Sequence, residues 1–154
     1  MPEISQEKVL SPSDLPHGVA LVMRLVDEGF AAGRVAIVDE LCSPDCVEHQ
    51  FGLAGSGAAA RDRLRTAMAE VHAMAPDISY HLEDWAERDG LVWLRLRAVG
   101  TQTGPFFGPP SGAPFDITVM DVARVVDGRI VEHWGVPDRF ALLAQTGVLA
   151  RLAG

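Results

Sequence analysis

The sequence has few of the residues that build metal centres. Its only cysteines are Cys42 and Cys46, and its five histidines are scattered along 154 residues. A metal site needs further Cys or His ligands at set spacings, so this pattern predicts none. We expect the two thiols to be reduced and to have a structural role.

Positive charge and long hydrophobic runs are also missing. The formal net charge is −8 at pH 7, which argues against a nucleic acid or an anionic membrane as partner, since both select a basic surface. The apolar stretches are too short to span a bilayer, and the N-terminal residues do not have the pattern of a signal peptide. These features predict a cytoplasmic protein.

Common catalytic fingerprints are absent as well. The sequence contains no nucleophile elbow, P-loop or dinucleotide-binding motif. The segment at residues 52–57 is rich in glycine, but it lacks the lysine and the strand context of a phosphate-binding loop. Phosphate and nucleotide chemistry are therefore not predicted.

The pattern of apolar residues predicts one α+β domain over residues 13–154, preceded by a flexible arm at residues 1–12. Helices are predicted from about residue 13, over 34–41, over 58–74 and over 138–145; strands are predicted over 46–51, 78–87, 91–101 and in a final hairpin. Long antiparallel strands must curl around the helices to bury their apolar face. Such a curved sheet, wrapped around three N-terminal helices, should enclose a conical cavity that suits a ligand.

The most informative segment is this hairpin, residues 116–134, because a charged residue interrupts its first strand. Asp127-Gly128 separates two runs of β-branched residues, which is a strong hairpin signal. Asp121 lies inside the first run, where aspartate is rare. A wide turn with a bulge at Gly128 places Asp121 opposite His133, whereas a two-residue turn places it opposite Trp134. We favour the wide turn, because it leaves Arg124 and Glu132 as diagonal neighbours on the other face.

A carboxylate beside an imidazole suits proton transfer. Kept from water, Asp121 would take a proton from a carbon next to a carbonyl and return it to an alkoxide, with His133 as its partner. The alternatives are an aspartate that faces solvent and a histidine that only holds a neighbouring strand.

Four further residues are candidates for substrate binding. His49 should lie near the mouth of the cavity, and Gln102 shares a strand face with apolar residues and should point inward. Phe106 and Phe107, in a long Gly/Pro-rich loop, are expected to form a wall of the cavity. The structural alternatives are a buried histidine with satisfied hydrogen bonds for His49 and a cap at the end of the strand for Gln102. For Phe106 and Phe107 they are a place at the base of the core or in a dimer contact. Arg95 and Arg97 should lie on the opposite, solvated face.

Two segments carry a family resemblance: residues 100–112, which include Gln102 and the two phenylalanines, and residues 120–134, which contain Asp121 and His133. Together with Val47-Glu48-His49 and Pro137-Asp138-Arg139, they resemble the SnoaL-like polyketide cyclases. The resemblance implies an NTF2-like cone, often a homodimer, with no metal or organic cofactor. It also implies aldol closure of a small hydrophobic substrate that contains a carbonyl group, with Asp121 as the acid and base. The family often has histidine where this chain has Gln102, which cannot transfer a proton at neutral pH.

Two other functions remain open at this point. Relatives with the same hairpin open epoxides, so an epoxide-opening cyclase or hydrolase is one alternative. An apolar-ligand-binding dimer without catalytic activity is the other, because a fold does not determine a function.

Overall fold

The computed structural model describes residues 14–154, and the predicted arm at residues 1–12 lies outside the described residues. The helices are α1 (His17–Arg24), which continues into a π-helical segment (Leu25–Ala31), then α2 (Ile37–Leu41), α3 (Gly57–Met74), α4 (Arg139–Gln145) and α5 (Val148–Ala153). None of the described helices is long and apolar enough to cross a membrane.

Six strands form one curved, mixed sheet. They are β1 (Cys42–Glu48), β2 (Gly55–Ser56), β3 (Ser79–Arg88), β4 (Leu91–Thr101), β5 (Pro114–Val126) and β6 (Arg129–Pro137), in the order β2-β1-β6-β5-β4-β3. Strands β1 and β6 are parallel, and all other neighbouring strands are antiparallel. The predicted α+β fold, with helices on one side of a curved sheet, is confirmed.

The core lies between the sheet and the three N-terminal helices. The apolar stripe of each helix packs against inward-facing strand residues; fully buried members include Val19, Val22, Leu25, Ile37, Met68, Leu94 and Leu96. In α3 the predicted stripe of Ala60, Leu64, Ala67 and Met74 is buried, with Met68 more deeply buried than the predicted Val71. A second apolar cluster, around Phe115 and Ile117, packs against α4 through Leu142.

Strand β1 differs from the prediction because it begins at Cys42 rather than Cys46. Its pairing with β6 moves from Cys42 opposite Ile130 to Val47 opposite Glu132, so the residues between them bulge out of the strand. The bulge contains Pro44, which has no N–H to donate to a ladder. Because of this bulge, the first residues of β1 do not show the alternation of apolar and polar residues from which a strand is predicted. Strand β2 and helix α5 were not predicted.

The predicted register of the β5–β6 hairpin is wrong in both of its versions. The turn is the two-residue type, with Asp127 and Gly128 at φ of 49° and 71°. An additional residue, Val131, then shifts the ladder, because Arg124 pairs with Glu132 while Val125 pairs with Ile130. Asp121 therefore lies opposite Gly135, and His133 lies opposite Ala123.

This register still brings Asp121 and His133 together. They lie two ladder positions apart on the same, inward face of the sheet, within reach of each other as diagonal neighbours. Arg124 and Glu132, predicted as diagonal neighbours, face each other directly and form an ion pair at 3.2 Å.

Candidate active site

Three ionisable side chains form a buried chain of hydrogen bonds on the inner face of the sheet. Nε2 of His133 lies 2.8 Å from Oδ1 of Asp121, and its Nδ1 lies 2.6 Å from Oε2 of Glu48. Asp121, His133 and Glu48 are only 5%, 3% and 3% exposed. We call this group the acid–base triad.

The strand geometry explains why these three side chains meet. Asp121 and Ala123 point inward from β5, as do Leu94 and Val92, the residues opposite them on β4. Glu48 lies opposite His133 in the parallel β1–β6 pair, so their side chains share a face. Sequence analysis predicted the Asp121–His133 contact but missed Glu48, whose partner is 85 positions away in the chain.

The triad favours the protonated form of its histidine. Burial alone lowers the pKa of His133, but the charges and hydrogen bonds of Asp121 and Glu48 outweigh it and raise the pKa well above its usual value. Carboxylates only accept hydrogen bonds, so both ring nitrogens of His133 donate.

The arrangement leaves one oxygen of Asp121 for chemistry. Oδ1 accepts from His133, and Oδ2 accepts no hydrogen bond from any residue that the structure describes. A carboxylate oriented through one oxygen, with the other unoccupied, is arranged to take up a proton. The triad is not arranged to bind a metal, since both nitrogens of His133 are already directed at carboxylates.

His49 lies on the opposite face of β1 from Glu48. Its ring stacks on Trp134 with centroids 4.6 Å apart, and its Nε2 lies 3.2 Å from Oε1 of Glu132. It does not contact the triad through its side chain, because alternation turns it outward. It instead lines a pocket at the end of β1 together with Trp134. Its role in substrate binding remains a prediction.

Gln102 points inward as predicted, and it is fully buried. Its side-chain oxygen accepts a hydrogen bond from Ser111 at 2.6 Å, and its Nε2 donates to the carbonyl of Gly104 at 3.2 Å. Its backbone also pairs with Ala113 and Gly112. The carboxamide thus fastens the two ends of the loop that follows β4, and it forms no hydrogen bond with the triad.

The two phenylalanines of that loop differ in their surroundings. Phe106 is half-buried and packs against the second apolar cluster, whereas Phe107 is 74% exposed. Their rings meet edge to face with centroids 4.9 Å apart. Whether they contact a substrate stays a prediction.

The outer face of the sheet carries the predicted arginines. Arg95 pairs with Glu83, and Arg97 pairs with Asp116, both at the surface. An arginine directed inward between two carboxylates, as an epoxide hydrolase of this fold would require, is not formed by either residue. Cys42 and Cys46 are free and buried, in agreement with the prediction.

Two pockets stand out in the described part of the chain, and neither is lined by Asp121. The first, of about 190 Å³, lies against Trp85, Trp93 and Met120. The second, of about 260 Å³, lies at the end of β1 beside Gln50, Phe51 and Gly135. The predicted conical interior is largely occupied by side chains of the π-helical segment, α3 and β4, such as Leu25, Met68 and Leu94.

The sequence profile of the SnoaL-like polyketide cyclases matches residues 20–146 of the chain. A curated relative from Streptomyces sp. (strain C5), the aklanonic acid methyl ester cyclase DauD, is 30% identical over 139 residues, which cover 84% of this chain and 81% of DauD.

Solved structures of similar proteins have the same fold as this chain. A candidate SnoaL-like polyketide cyclase from Jannaschia sp. CCS1 superposes with a TM-score of 0.74 at 25% identity, covering 84% of this chain and 91% of its own. IdmH, a candidate polyketide cyclase from Streptomyces antibioticus, superposes with a TM-score of 0.69 at 34% identity, covering 90% of this chain and 99% of its own.

Proposed function

Because the chain belongs to the SnoaL-like polyketide cyclase family, we propose that it closes a ring by an intramolecular aldol reaction, with Asp121 as general base and general acid. The observation that carries this proposal is the buried acid–base triad, in which Asp121 is oriented by His133 at 2.8 Å and keeps one oxygen unoccupied. Membership of the family supports enzymatic polyketide cyclisation, and the geometry of the triad supports Asp121 as the general base and general acid.

The proposed reaction needs only proton transfers. Oδ2 of Asp121 takes a proton from the carbon next to a carbonyl, which leaves an enolate. The enolate carbon bonds to a second carbonyl carbon of the same molecule, and the oxygen of that carbonyl becomes an alkoxide. Asp121 then returns its proton to the alkoxide, so the product has the same formula as the substrate and no redox partner is required.

His133 and Glu48 act on Asp121 in this proposal. The imidazolium holds the Asp121 side chain in one orientation, and the Glu48 carboxylate holds the imidazolium. Neither residue needs to exchange a proton during the reaction. They are positioning residues, comparable to the groups that orient ligands in other catalytic sites.

We also propose a hydrophobic carbonyl-containing substrate and a homodimer. The substrate class is supported by the apolar side chains around the triad, including Leu94 on the neighbouring strand. The homodimer is supported by exposed apolar residues on the outer face of the sheet: Trp93, Met120 and Val136 are 38%, 41% and 64% exposed. Met120 and Val136 face each other in the β5–β6 ladder, so they form one continuous patch.

The experiment uses the substrate named for DauD, aklanonic acid methyl ester, with the purified protein. We expect a cyclised product of unchanged mass, and in the Asp121→Asn variant a turnover lower by about two to four decades, with the same circular dichroism spectrum. Near-normal turnover in this variant would overturn the role of Asp121. A wild-type protein that leaves the ester unchanged would overturn the proposed reaction on this type of substrate.

A further inference from the structure

The sheet has a gap next to the acid–base triad. Strand β1 pairs with β6 only as far as Glu48 opposite His133. The next residues of β6, from Gly135 to Pro137, therefore lack a strand partner on that side. The pocket of about 260 Å³ lies at this gap, with Gln50, Phe51, Trp134, Gly135, Pro137 and Arg139 among its lining residues.

The side chain of Gln50 fills the inner end of the gap. A Cβ built on Gly135 would overlap Oε1 of Gln50 and would lie 3.0 Å from its Cδ and 3.4 Å from Oδ1 of Asp121. Oε1 of Gln50 and Oδ1 of Asp121 thus meet at the bare backbone of Gly135, and a half-turn of the carboxamide about its last side-chain torsion brings Nε2 to the same place. Any side chain at position 135 would push the carboxamide out of this place.

Gln50 is held by its backbone and not by its side chain. Its N–H donates to Oε1 of Glu48 at 2.8 Å, which ties it to the triad. Its carboxamide forms no hydrogen bond with the residues described in the structure. The amide is only partly buried and its polar atoms reach solvent, so a ligand that enters the pocket can replace water as its partner.

We propose that the carboxamide of Gln50 binds the reacting oxygen of the substrate, donating a hydrogen bond from Nε2 while Asp121 moves the proton. This inference rests on the proposed function. A carboxamide donor beside a carboxylate base is suited to an enolate, whose oxygen needs a donor as its charge develops. Gln102, which sequence analysis predicted to bind substrate, uses both polar atoms of its side chain within its own loop.

The other polar groups at the gap are engaged elsewhere. Arg139 donates to the carbonyl of Phe51 at 3.0 Å, and its guanidinium lies 5.8 Å from the centroid of the Phe51 ring. His49 is stacked on Trp134 and directed at Glu132. Gln50 is thus the pocket residue whose amide is both unpaired and adjacent to Asp121.

The test compares Gln50→Leu, which keeps the size and loses the donor, with Gln50→Asn, which keeps the donor on a shorter side chain. With aklanonic acid methyl ester we expect kcat to fall by about 10²–10³ in Gln50→Leu, as for loss of an oxyanion donor, with a smaller change in KM. Gln50→Asn should recover part of kcat. Thermal unfolding of each variant shows whether the fold is retained, and unchanged kcat in Gln50→Leu would overturn the inference.

A second pair of variants tests whether the Gln50 carboxamide needs the space that the missing side chain at Gly135 leaves. Gly135→Ala should displace the carboxamide and lower kcat as Gln50→Leu does. The double variant Gly135→Ala/Gln50→Leu should lose no more than either single change, because both remove the same contact. Losses that multiply in the double variant would mean that Gly135 and Gln50 act independently, and would overturn the proposed arrangement.

Binding of 2-naphthol, followed by its fluorescence, separates this inference from the proposed reaction. Its hydroxyl stands in for an enol, and we expect Gln50→Leu to weaken binding by about threefold to tenfold, the value of one neutral hydrogen bond. One outcome is that the wild-type protein binds 2-naphthol more tightly than Gln50→Leu does but leaves the ester unchanged. This result contradicts the proposed reaction and supports the role of Gln50. Equal binding by wild type and Gln50→Leu, together with equal kcat, contradicts the role of Gln50 alone.

Discussion

Glu48 and His133 face each other across the parallel strands β1 and β6, with Oε2 of Glu48 2.6 Å from Nδ1 of His133. A second carboxylate–histidine pair lies on the outer face, where Glu132 of β6 meets His49, the residue that follows β1, at 3.2 Å. The first pair is buried and the second is about one-third exposed. The two pairs therefore allow the effect of burial on a carboxylate–histidine contact to be measured within one protein.

Glu48→Gln should lower the free energy of unfolding by about 1.5–3 kcal/mol, the range for hydrogen bonds to charged groups. The physical reason is that a buried imidazolium loses one of its two anionic partners. Glu132→Gln, the matched control at the surface, should lower the free energy of unfolding much less, because exposed ion pairs contribute little to stability. Urea unfolding near pH 6 measures both, and equal effects in the two variants would contradict the assigned importance of burial.

The raised pKa of His133 predicts how stability depends on pH. Between the unfolded pKa of about 6.5 and the higher folded pKa, the native protein binds more protons than the unfolded chain. The stabilisation from protonated His133 is therefore fully present below about pH 6.5 and is lost as the pH rises through the folded pKa.

The titration itself is measured by NMR of the His133 ring nitrogens. We expect both nitrogens to remain protonated at pH values where a free imidazole is neutral. In Glu48→Gln the pKa should move down, because one of the groups that raise it has lost its charge. A His133 ring that titrates at or below pH 6.5 in the wild type would contradict this prediction.

Gln102→Leu should destabilise the loop that follows β4. The change leaves the hydroxyl of Ser111 and the carbonyl of Gly104 without their partner, at a cost of about 1–3 kcal/mol. Faster proteolysis within residues 103–113 and a lower midpoint of unfolding would confirm it. Ser111→Ala, which removes one of the two bonds, should have a smaller effect. A raised KM with unchanged stability would instead support the predicted contact of Gln102 with substrate.

Met120→Asp should convert the proposed homodimer into a monomer, because it places a charge in the apolar patch on the outer face of the sheet. Sedimentation velocity measures the change. Val126→Asp is the control, since Val126 is also exposed on β5 but lies beside the hairpin turn. A wild-type protein that sediments as a monomer, or a Met120→Asp variant that stays dimeric, would contradict the proposed interface.

Much of the architecture was predictable from local patterns. The alternation in β3, β4 and β5, and the Asp127-Gly128 turn, are signals carried by neighbouring residues. Asp121 was identifiable because a charged residue interrupts an otherwise apolar strand. These features depend on contacts that are close in sequence, and the structure reproduces them.

The parts that were missed depend on irregular or distant contacts. The bulge in β1 hides the strand that carries Glu48, and the pairing with β6 is not local. The one clue was that Cys46 and Glu48 are two residues apart and so share a face, which puts a carboxylate beside a buried thiol. The carboxamide of Gln50 occupies the space where a side chain at position 135 would lie. The alternation of apolar and polar residues along a strand cannot reveal such a contact.

Whether the bulge residue Val131 is paired determines which side of the sheet receives the imidazole. If Val131 instead paired with Arg124 in a regular ladder, His133 would lie opposite Val122, which belongs to the outer face with Trp93. Deleting Val131 would remove the bulge but would leave Glu132 opposite Arg124 and His133 opposite Ala123, so the imidazole would stay in the interior. The interior position of the imidazole thus depends on the ladder resuming one residue later on β6, with the extra residue left unpaired.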